Sequence, residues 1–146
     1  MVDRQARDIA ADVLARFLRG ELNNKEYEHQ YPESKEDPAL REIWLEVWFF
    51  YSDLRQQRLN GKEALSTERQ EFVKRCILFL RHGTEFRWPR QRFRPWYAAL
   101  RLVGLGVFVD RWYSEGLEQG DTDVWPFLTR SEYEAATESS FSAAWP

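Results

Sequence analysis

Two histidines and a single cysteine are the side chains with the most distinctive chemistry in this chain of 146 residues. A cysteine nucleophile requires a base within hydrogen-bond reach and an open, electropositive environment. Cys76 lies on the apolar face of a predicted helix, where a thiol is generally an inert small hydrophobe. His82 is placed to cap the end of the same helix. The sequence therefore predicts no nucleophilic pair.

A Glu-x-x-His motif at Glu26 and His29 places a carboxylate and an imidazole on one face of a helix. Carboxylate-bridged two-metal bundles use two such motifs together with two further acids. The second motif is missing, because Phe79 occupies the position three residues before His82. No cysteine and histidine cluster has zinc spacing, and no glycine-rich phosphate loop occurs. We expect no catalytic residues, no metal site and no cofactor.

Acidic residues are abundant between residues 21 and 37, where six acids and two lysines give a net charge of −4. Paired carboxylates could hydrolyse a substrate if their surroundings separated their pKa values. A solvated loop is the more common role of such a run, and abundance alone raises no pKa. An enzyme with a scattered carboxylate site is therefore the third hypothesis for function.

Arginine and aromatic residues alternate between residues 81 and 97, which is the sharpest functional pattern in the sequence. Single-stranded nucleic acids are bound by this combination, because rings stack on bases and guanidinium groups contact phosphates. Alternatively, the rings belong to the core and the arginines pair with the acidic residues of 110–146, whose net charge is −6. The overall charge of −3 favours this alternative. The nucleic-acid candidates are Arg87, Trp88, Arg90, Arg92, Arg94 and Trp96.

A long aromatic helix, predicted from residue 38 to residue 59, is the element around which the rest of the chain is organised. Asp37 is a good N-cap, and Pro38 suits the first helical position because its missing N–H costs nothing there. Apolar residues fall on one broad face of this helix at about 100° per residue. This face comprises Leu40, Ile43, Trp44, Val47, Trp48, Phe50, Tyr51 and Leu54.

Leu45 and Phe49 lie one turn apart on the polar side of the aromatic helix. Either another helix covers them or they form an apolar patch for a partner protein. Tryptophan, tyrosine and arginine dominate interface hot spots, and the chain is rich in all three. The leading hypothesis is a non-catalytic, cytoplasmic protein-binding module in which Leu45 and Phe49 contact the partner. A nucleic-acid-associated protein is the second.

Four further helices are predicted near residues 3–19, 67–82, 96–113 and 131–139. A buried strand at 102–109 is an alternative within the fourth segment, because Gly104 and Gly106 each disfavour a helix by about 1 kcal/mol. Ser131 could cap the last helix. The stretch 21–36 reads as a loop with one turn of helix at most.

All five predicted elements are helical, so we expect an all-α protein. It would be a single-domain bundle of about five helices over residues 1–139, followed by a C-terminal tail at 140–146. The helix at 67–82 is expected to be the strongest packing partner of the aromatic helix. The aromatic-rich core is expected to centre on Trp44, Val47, Trp48, Tyr51, Phe72, Cys76, Phe79 and Leu100.

Composition agrees with a folded, soluble domain. Seven tryptophans, six tyrosines and ten phenylalanines make disorder improbable over most of the chain. The longest apolar run, 102–109, is far shorter than the roughly 20 residues that span a bilayer. No apolar secretion signal follows Met1, and the lone cysteine fits a reducing compartment. We expect a cytoplasmic protein without a membrane partner, and its oligomeric state is left open.

Motifs of rings and prolines recur along most of the chain. They are Asn24-x-x-Tyr27, Ile43-Trp44-x-x-Val47-Trp48-x-Phe50-Tyr51-x-Asp53-Leu54, Arg75-x-x-x-Phe79-Leu80, Phe86-x-Trp88-Pro89, Gly120-Asp121-x-x-Val124-Trp125-Pro126-Phe127 and Tyr133-Glu134-x-Ala136. In these motifs the chain resembles a family of small, uncharacterised all-helical bacterial proteins. The resemblance implies a helical fold and carries no activity. By analogy with other small helical proteins, immunity to a polymorphic toxin is a role that the binding module could have.

Overall fold

The structure is a computed structural model that describes residues 1–52, 54–87 and 121–142. Five α-helices and no β-strand are present in these ranges, which confirms the all-α prediction. They are α1 (Arg4–Leu18), α2 (Asn24–Gln30), α3 (Pro38–Trp48), α4 (Thr67–His82) and α5 (Arg130–Ser142). Short 3₁₀ helices lie at Gly61–Glu63 and Thr122–Val124. The predicted helix at 96–113 and the alternative strand at 102–109 lie outside the described residues.

Capping side chains and a glycine set the ends of α1 and α4. The Asp3 carboxylate accepts a hydrogen bond from a first-turn N–H of α1 at 3.0 Å, and Ser66 Oγ accepts one from α4 at 3.4 Å. Gly83 follows α4 with a φ of 81°, in the left-handed region that glycine occupies without steric cost. The predictions of helices near 3–19 and 67–82 are confirmed.

α3 is much shorter than the predicted helix at 38–59, because it ends at Trp48. Its beginning is as predicted, with Asp37 as the N-cap. Beyond the helix, the Phe50 N–H donates to the Val47 carbonyl at 2.9 Å, which closes a tight turn in place of a helical hydrogen bond. The prediction of a helix to residue 59 is therefore wrong. After the turn, Phe50 packs against Phe72 and Tyr51 reaches Glu28, whereas Leu54 is 97% exposed.

Residues 24–30 form a complete helix, α2, where the sequence suggested a loop with one turn. The Asn23 side chain accepts a hydrogen bond from the Glu26 N–H at 2.9 Å. The Glu26 carboxylate accepts one from the Asn23 N–H at 2.8 Å. This reciprocal capping box satisfies two backbone donors at the start of the helix, which explains why a strongly polar stretch is helical.

α5 extends past its predicted end to Ser142, so residues 140–142 belong to the helix and not to a tail. Thr129, and not Ser131, caps its start. Thr129 Oγ1 accepts a hydrogen bond from the Glu132 N–H at 3.3 Å, and the Glu132 carboxylate accepts one from the Thr129 N–H at 3.4 Å. This second capping box begins the helix earlier than the sequence suggested.

α1 and α4 form the most extensive helix–helix interface among the described helices. α3 packs to a similar extent against α1 and α4, so among the described helices α4 shares the role of packing partner of α3 with α1. Buried alanines occupy positions 6, 10 and 11 of α1. Their small side chains allow a neighbouring helix to approach closely. The fully buried side chains include Leu14, Phe17, Leu40, Ile43, Val47, Cys76, Phe79 and Phe127.

The predicted core is confirmed in part. Its fully buried members are Val47, Cys76 and Phe79. Its half-buried members, which pack against the core, are Trp44, Tyr51 and Phe72. Trp48 is half-buried and lies outside the core cluster, because it is the last residue of α3. Leu100 lies outside the described residues.

A cluster of aromatic rings joins α1, α2 and the segment after α3. Tyr27 stacks on Phe17 with ring centroids 4.5 Å apart, and Tyr51 meets Phe17 edge-on at 5.5 Å. Tyr31 tilts against Tyr27 at 5.5 Å, and its hydroxyl donates to the Leu40 carbonyl at 3.1 Å. The Tyr27 hydroxyl is buried, and none of the described residues forms a hydrogen bond with it.

Replacing Tyr27 by phenylalanine is expected to leave the free energy of unfolding unchanged or to raise it by up to about 1 kcal/mol. The substitution removes a buried hydroxyl that makes no hydrogen bond to the described part of the chain. The matched Tyr31→Phe variant should lower it by about 1 kcal/mol, because the Leu40 carbonyl loses a donor. Urea denaturation at pH 7 measures both changes. A greater loss for Tyr27→Phe than for Tyr31→Phe would contradict this distinction.

Stability is also expected to fall at alkaline pH. Burial raises the pKa of Tyr27 and of Tyr31 well above the ordinary value of 10.0. In the unfolded chain both phenols ionise near pH 10, whereas in the folded protein they keep their protons. Stability is therefore fully present below about pH 10 and is lost as the pH rises above it. Urea denaturation between about pH 9 and 12 should show a shallower loss for Tyr27→Phe than for wild type; parallel curves would be the contrary result.

Candidate partner-binding surface

The turn after α3 sends neighbouring aromatic residues in different directions. Phe50 packs edge-on against Phe72 of α4, with ring centroids 5.4 Å apart. Tyr51 reaches α2, where its hydroxyl donates to the Glu28 carboxylate at 3.1 Å. Phe49, which lies between the end of α3 and these two residues, is 68% exposed. The same turn that packs two rings leaves the third in solvent.

Leu45, Trp48 and Phe49 form a surface that we name the α3-end patch. The rings of Trp48 and Phe49 meet edge-on, with centroids 5.4 Å apart and an interplanar angle of 75°. Leu45 lies one helical turn before Phe49, and both Leu45 and Trp48 are half-buried. Leu54, in the segment that follows, is 97% exposed. Single exposed apolar residues are ordinary on protein surfaces, whereas large contiguous apolar patches are typical of interaction sites.

Asn24 anchors the segment that follows the α3-end patch. Its buried side-chain amide donates to the carbonyls of Ser52 and Arg55 at 3.1 and 3.0 Å. Its side-chain oxygen accepts a hydrogen bond from the Gln57 N–H at 2.9 Å. The Asn24 N–H donates in turn to the Gln57 carbonyl at 3.0 Å. The segment after Phe49 is thereby tied to the start of α2.

Charged residues flank the α3-end patch. Arg41 is exposed and lies one turn before Leu45, in line with Phe49 along α3. Among the residues that the structure describes, no acidic side chain pairs with Arg41. Glu42 and Glu46 are half-buried on the adjacent face, and each has an interaction partner. Within the described ranges, the surface therefore combines apolar side chains with one exposed guanidinium group that no acidic side chain neutralises.

Three residues of the arginine and aromatic pattern are described, and all three contact other parts of the protein. The Arg81 carbonyl accepts a hydrogen bond from Arg4 Nη1 at 2.9 Å. Arg87 forms an ion pair with Glu132 of α5. Phe86 is buried and meets Trp125 edge-on at 6.3 Å. At this end of the pattern, the ring and the arginine therefore contribute to packing. The other nucleic-acid candidates lie outside the described residues: Trp88, Arg90, Arg92, Arg94 and Trp96.

The side chains considered for catalysis are held in other contacts. Cys76 is fully buried in the core. His82 Nδ1 lies 2.7 Å from Thr84 Oγ1, and Glu26 belongs to the capping box of α2. The described ranges contain no group of three or more histidine, cysteine or acidic side chains that could hold a metal ion. None of the described helices is long and apolar enough to cross a membrane.

Trp48 is a member of the patch that the sequence pattern assigns to the core, whereas Arg41, beside the patch, is exposed as expected. The helical pattern places Trp48 on the core face and Arg41 on the solvated face. What distinguishes Trp48 from the core residues is its position as the last residue of α3, where no further helical turn follows to cover its side chain. That distinction depends on knowing where the helix ends.

Comparison with protein-family models, with curated proteins and with solved structures gives no match to this chain. The resemblance to small all-helical bacterial proteins therefore stays a prediction.

Proposed function

We propose that the protein is a non-catalytic protein-binding module that contacts its partner through the α3-end patch. The observation that carries this proposal is the exposure of Phe49 beside two packed rings. Burying a phenylalanine side chain contributes about 1.5–3 kcal/mol relative to leaving it in water. A partner that covers Phe49 recovers this free energy, which the folded monomer does not use.

The chemistry around Phe49 indicates what kind of partner surface fits. Tryptophan and arginine are enriched at hot spots, and here Trp48 and Arg41 lie on either side of Leu45 along α3. The matching surface is an apolar pocket for the Phe49 ring with a carboxylate at its edge for Arg41. The hydrogen bonds of Asn24 reduce the ordering that binding requires, because they already hold the adjacent segment.

Immunity to a toxin is the narrower form of this proposal. It requires the partner to be a toxin whose activity falls when the α3-end patch is occupied. The binding experiment below identifies the partner first, and an activity assay on that partner then tests the narrower role.

Photo-crosslinking from the patch identifies the partner. A benzoylphenylalanine residue is introduced in place of Phe49, and in place of Asp12 on the exposed face of α1 as the matched control. Both proteins are irradiated in a lysate of the source organism, with and without nuclease. We expect a protein adduct from position 49 that is absent from position 12 and is insensitive to nuclease.

The purified partner then allows a quantitative test. Phe49→Asp and Leu45→Asp are each expected to weaken binding by about 30-fold or more, which is the effect of a hot-spot residue. Asp12→Asn should leave the dissociation constant unchanged, and far-UV circular dichroism should show that all three variants are folded. A partner that binds Phe49→Asp as tightly as wild type would refute the proposal. So would the absence of any adduct specific to position 49.

A further inference from the structure

A groove of about 330 Å³ lies between α4 and α5, away from the α3-end patch. Its α4 wall has helical spacing, with Glu71, Lys74, Arg75 and Leu78 on one face. The half-buried side chains of Leu78 and Tyr133 give it an apolar floor, and the Tyr133 ring is held against Phe127 at 5.6 Å. A concave, mostly apolar space of this size is typical of small-ligand sites.

Arg75 is held in a defined position at the edge of this groove. Its Nε donates to the Trp125 carbonyl at 2.8 Å. Its guanidinium group also lies over the Phe72 ring, 5.7 Å from the centroid, and Phe72 in turn stacks on Trp125 at 5.3 Å. Arg75 is half-buried and fixed at one nitrogen. Within the described residues, no acceptor engages the N–H groups of its two terminal nitrogens, which remain for a ligand.

The charge of Arg75 has no counterpart in the described part of the chain. Lys74 and Glu71, the other charged residues of the groove, neutralise each other through a contact of 2.8 Å. No acidic side chain among the described residues pairs with Arg75. Counted over its described lining, the groove therefore carries one net positive charge beside an apolar floor.

The hydroxyl groups on the opposite wall are already engaged as donors. Thr137 Oγ1 donates to the Tyr133 carbonyl at 2.8 Å, and Ser140 Oγ donates to the Ala136 carbonyl at 2.9 Å. Their protons are committed to α5, so Arg75 is the group best placed to recognise an acceptor. A guanidinium group pairs bidentately with a carboxylate or a phosphate, and the single net positive charge of the groove is balanced by the single charge of a carboxylate.

We propose that the groove between α4 and α5 binds a small organic carboxylate with an apolar body. The carboxylate would pair with Arg75, and the apolar body would lie on Leu78 and Tyr133. Binding at this place is independent of the proposed function of the α3-end patch, because the two surfaces share no residue.

Isothermal titration with 3-phenylpropionate as the probe tests this site. We expect a dissociation constant on the order of 0.1 mM, since a ligand of this size can contribute only a few kcal/mol of binding free energy. Acetate, which lacks the apolar body, and 3-phenylpropan-1-ol, which lacks the charge, should each bind about tenfold more weakly or worse. Phenyl phosphate should bind no better than the carboxylate.

Three variants locate the binding. Arg75→Gln should weaken 3-phenylpropionate by about 10- to 100-fold, the range for a charge-assisted hydrogen-bonded pair. Thr137→Phe should also weaken the binding of 3-phenylpropionate, because the larger side chain occupies space in the groove while the Arg75 charge is kept. Arg69→Gln removes an arginine of the same helix that does not line the groove. It should leave the dissociation constant for 3-phenylpropionate unchanged. Failure of 3-phenylpropionate to bind below about 10 mM, or equal affinity in the Arg75→Gln and Arg69→Gln proteins, would overturn the proposal.

Discussion

Replacing Arg7 by methionine is expected to lower the free energy of unfolding by about 3–5 kcal/mol. Arg7 is fully buried, and its Nε and Nη2 contact the Asp37 carboxylate at 2.5 and 3.0 Å. Methionine has an apolar side chain of comparable length, so it would leave the Asp37 charge buried without its partner. Since single domains are stable by only about 5–15 kcal/mol, this loss is a large share of the total.

The expected loss is large because Arg7 and Asp37 join three segments of the fold. Arg7 Nη1 donates to the Thr84 carbonyl at 2.6 Å, just beyond α4. Asp37 accepts a hydrogen bond from the Asp3 N–H at 3.1 Å and caps α3. The Arg7 guanidinium group also lies over the Phe79 ring, 5.0 Å from its centroid. One ion pair thus ties together the start of α1, the start of α3 and the end of α4.

Urea denaturation followed by far-UV circular dichroism measures the change. Arg4→Met is the matched control, because Arg4 is in the same helix and pairs with Asp8 at an exposed site. That control should lose less than about 1 kcal/mol. The double variant Arg7→Met/Asp37→Asn should lose less than the sum of its two single variants, because the pair is coupled. Equal losses for Arg7→Met and Arg4→Met would argue against the buried pair.

Arg7 also illustrates which part of the fold a sequence pattern cannot predict. Helical periodicity groups Ile9 with Val13 and Phe17 on the apolar face of α1, yet Ile9 is 45% exposed. Arg7 is buried in its stead, because Asp37 neutralises it from a distant point in the chain. Helical periodicity sorts residues only by their type. It carries no information about the distant Asp37 carboxylate that allows Arg7 to be buried.

The ends of the helices also differ in whether the sequence could predict them. α4 could be predicted at both ends, because Ser66 and Gly83 are local signals. The end of α3 could not, because no glycine or proline stands near it. Instead, the Asn24 side chain hydrogen-bonds to the carbonyls of Ser52 and Arg55 in the segment that follows α3. These residues lie 28 and 31 positions after Asn24 in the chain. A contact of that kind appears only once the fold is known.

The same reasoning applies to the α3-end patch. Helical spacing alone identifies Leu45 and Phe49 as apolar residues on the polar side of α3, because this assignment depends only on neighbouring residues in the sequence. The high exposure of Phe49 follows from the turn after Trp48, which packs Phe50 inward and leaves Phe49 outside. A sequence pattern treats these neighbouring rings as one continuous helix and cannot separate them.

Replacing Phe79 by alanine is expected to lower the free energy of unfolding by about 3–5 kcal/mol, because it leaves a cavity in the core. The Phe79 ring is 1% exposed and meets Phe86 and Phe127 edge-on, with centroids 6.1 and 5.1 Å away. The identical change at Phe49, which is 68% exposed, should alter stability by no more than about 0.5 kcal/mol. Urea denaturation of both variants makes the comparison direct.

This pair of variants separates a structural ring from a binding ring. If Phe49→Ala destabilised the protein as much as Phe79→Ala, Phe49 would be packed inside the protein and unavailable to a partner. If Phe79→Ala cost less than about 1 kcal/mol, the core around α4 would not be packed as described. The expected result is a folded, stable Phe49→Ala protein. Such a protein allows any loss of partner binding to be assigned to the α3-end patch, because the rest of the fold is intact.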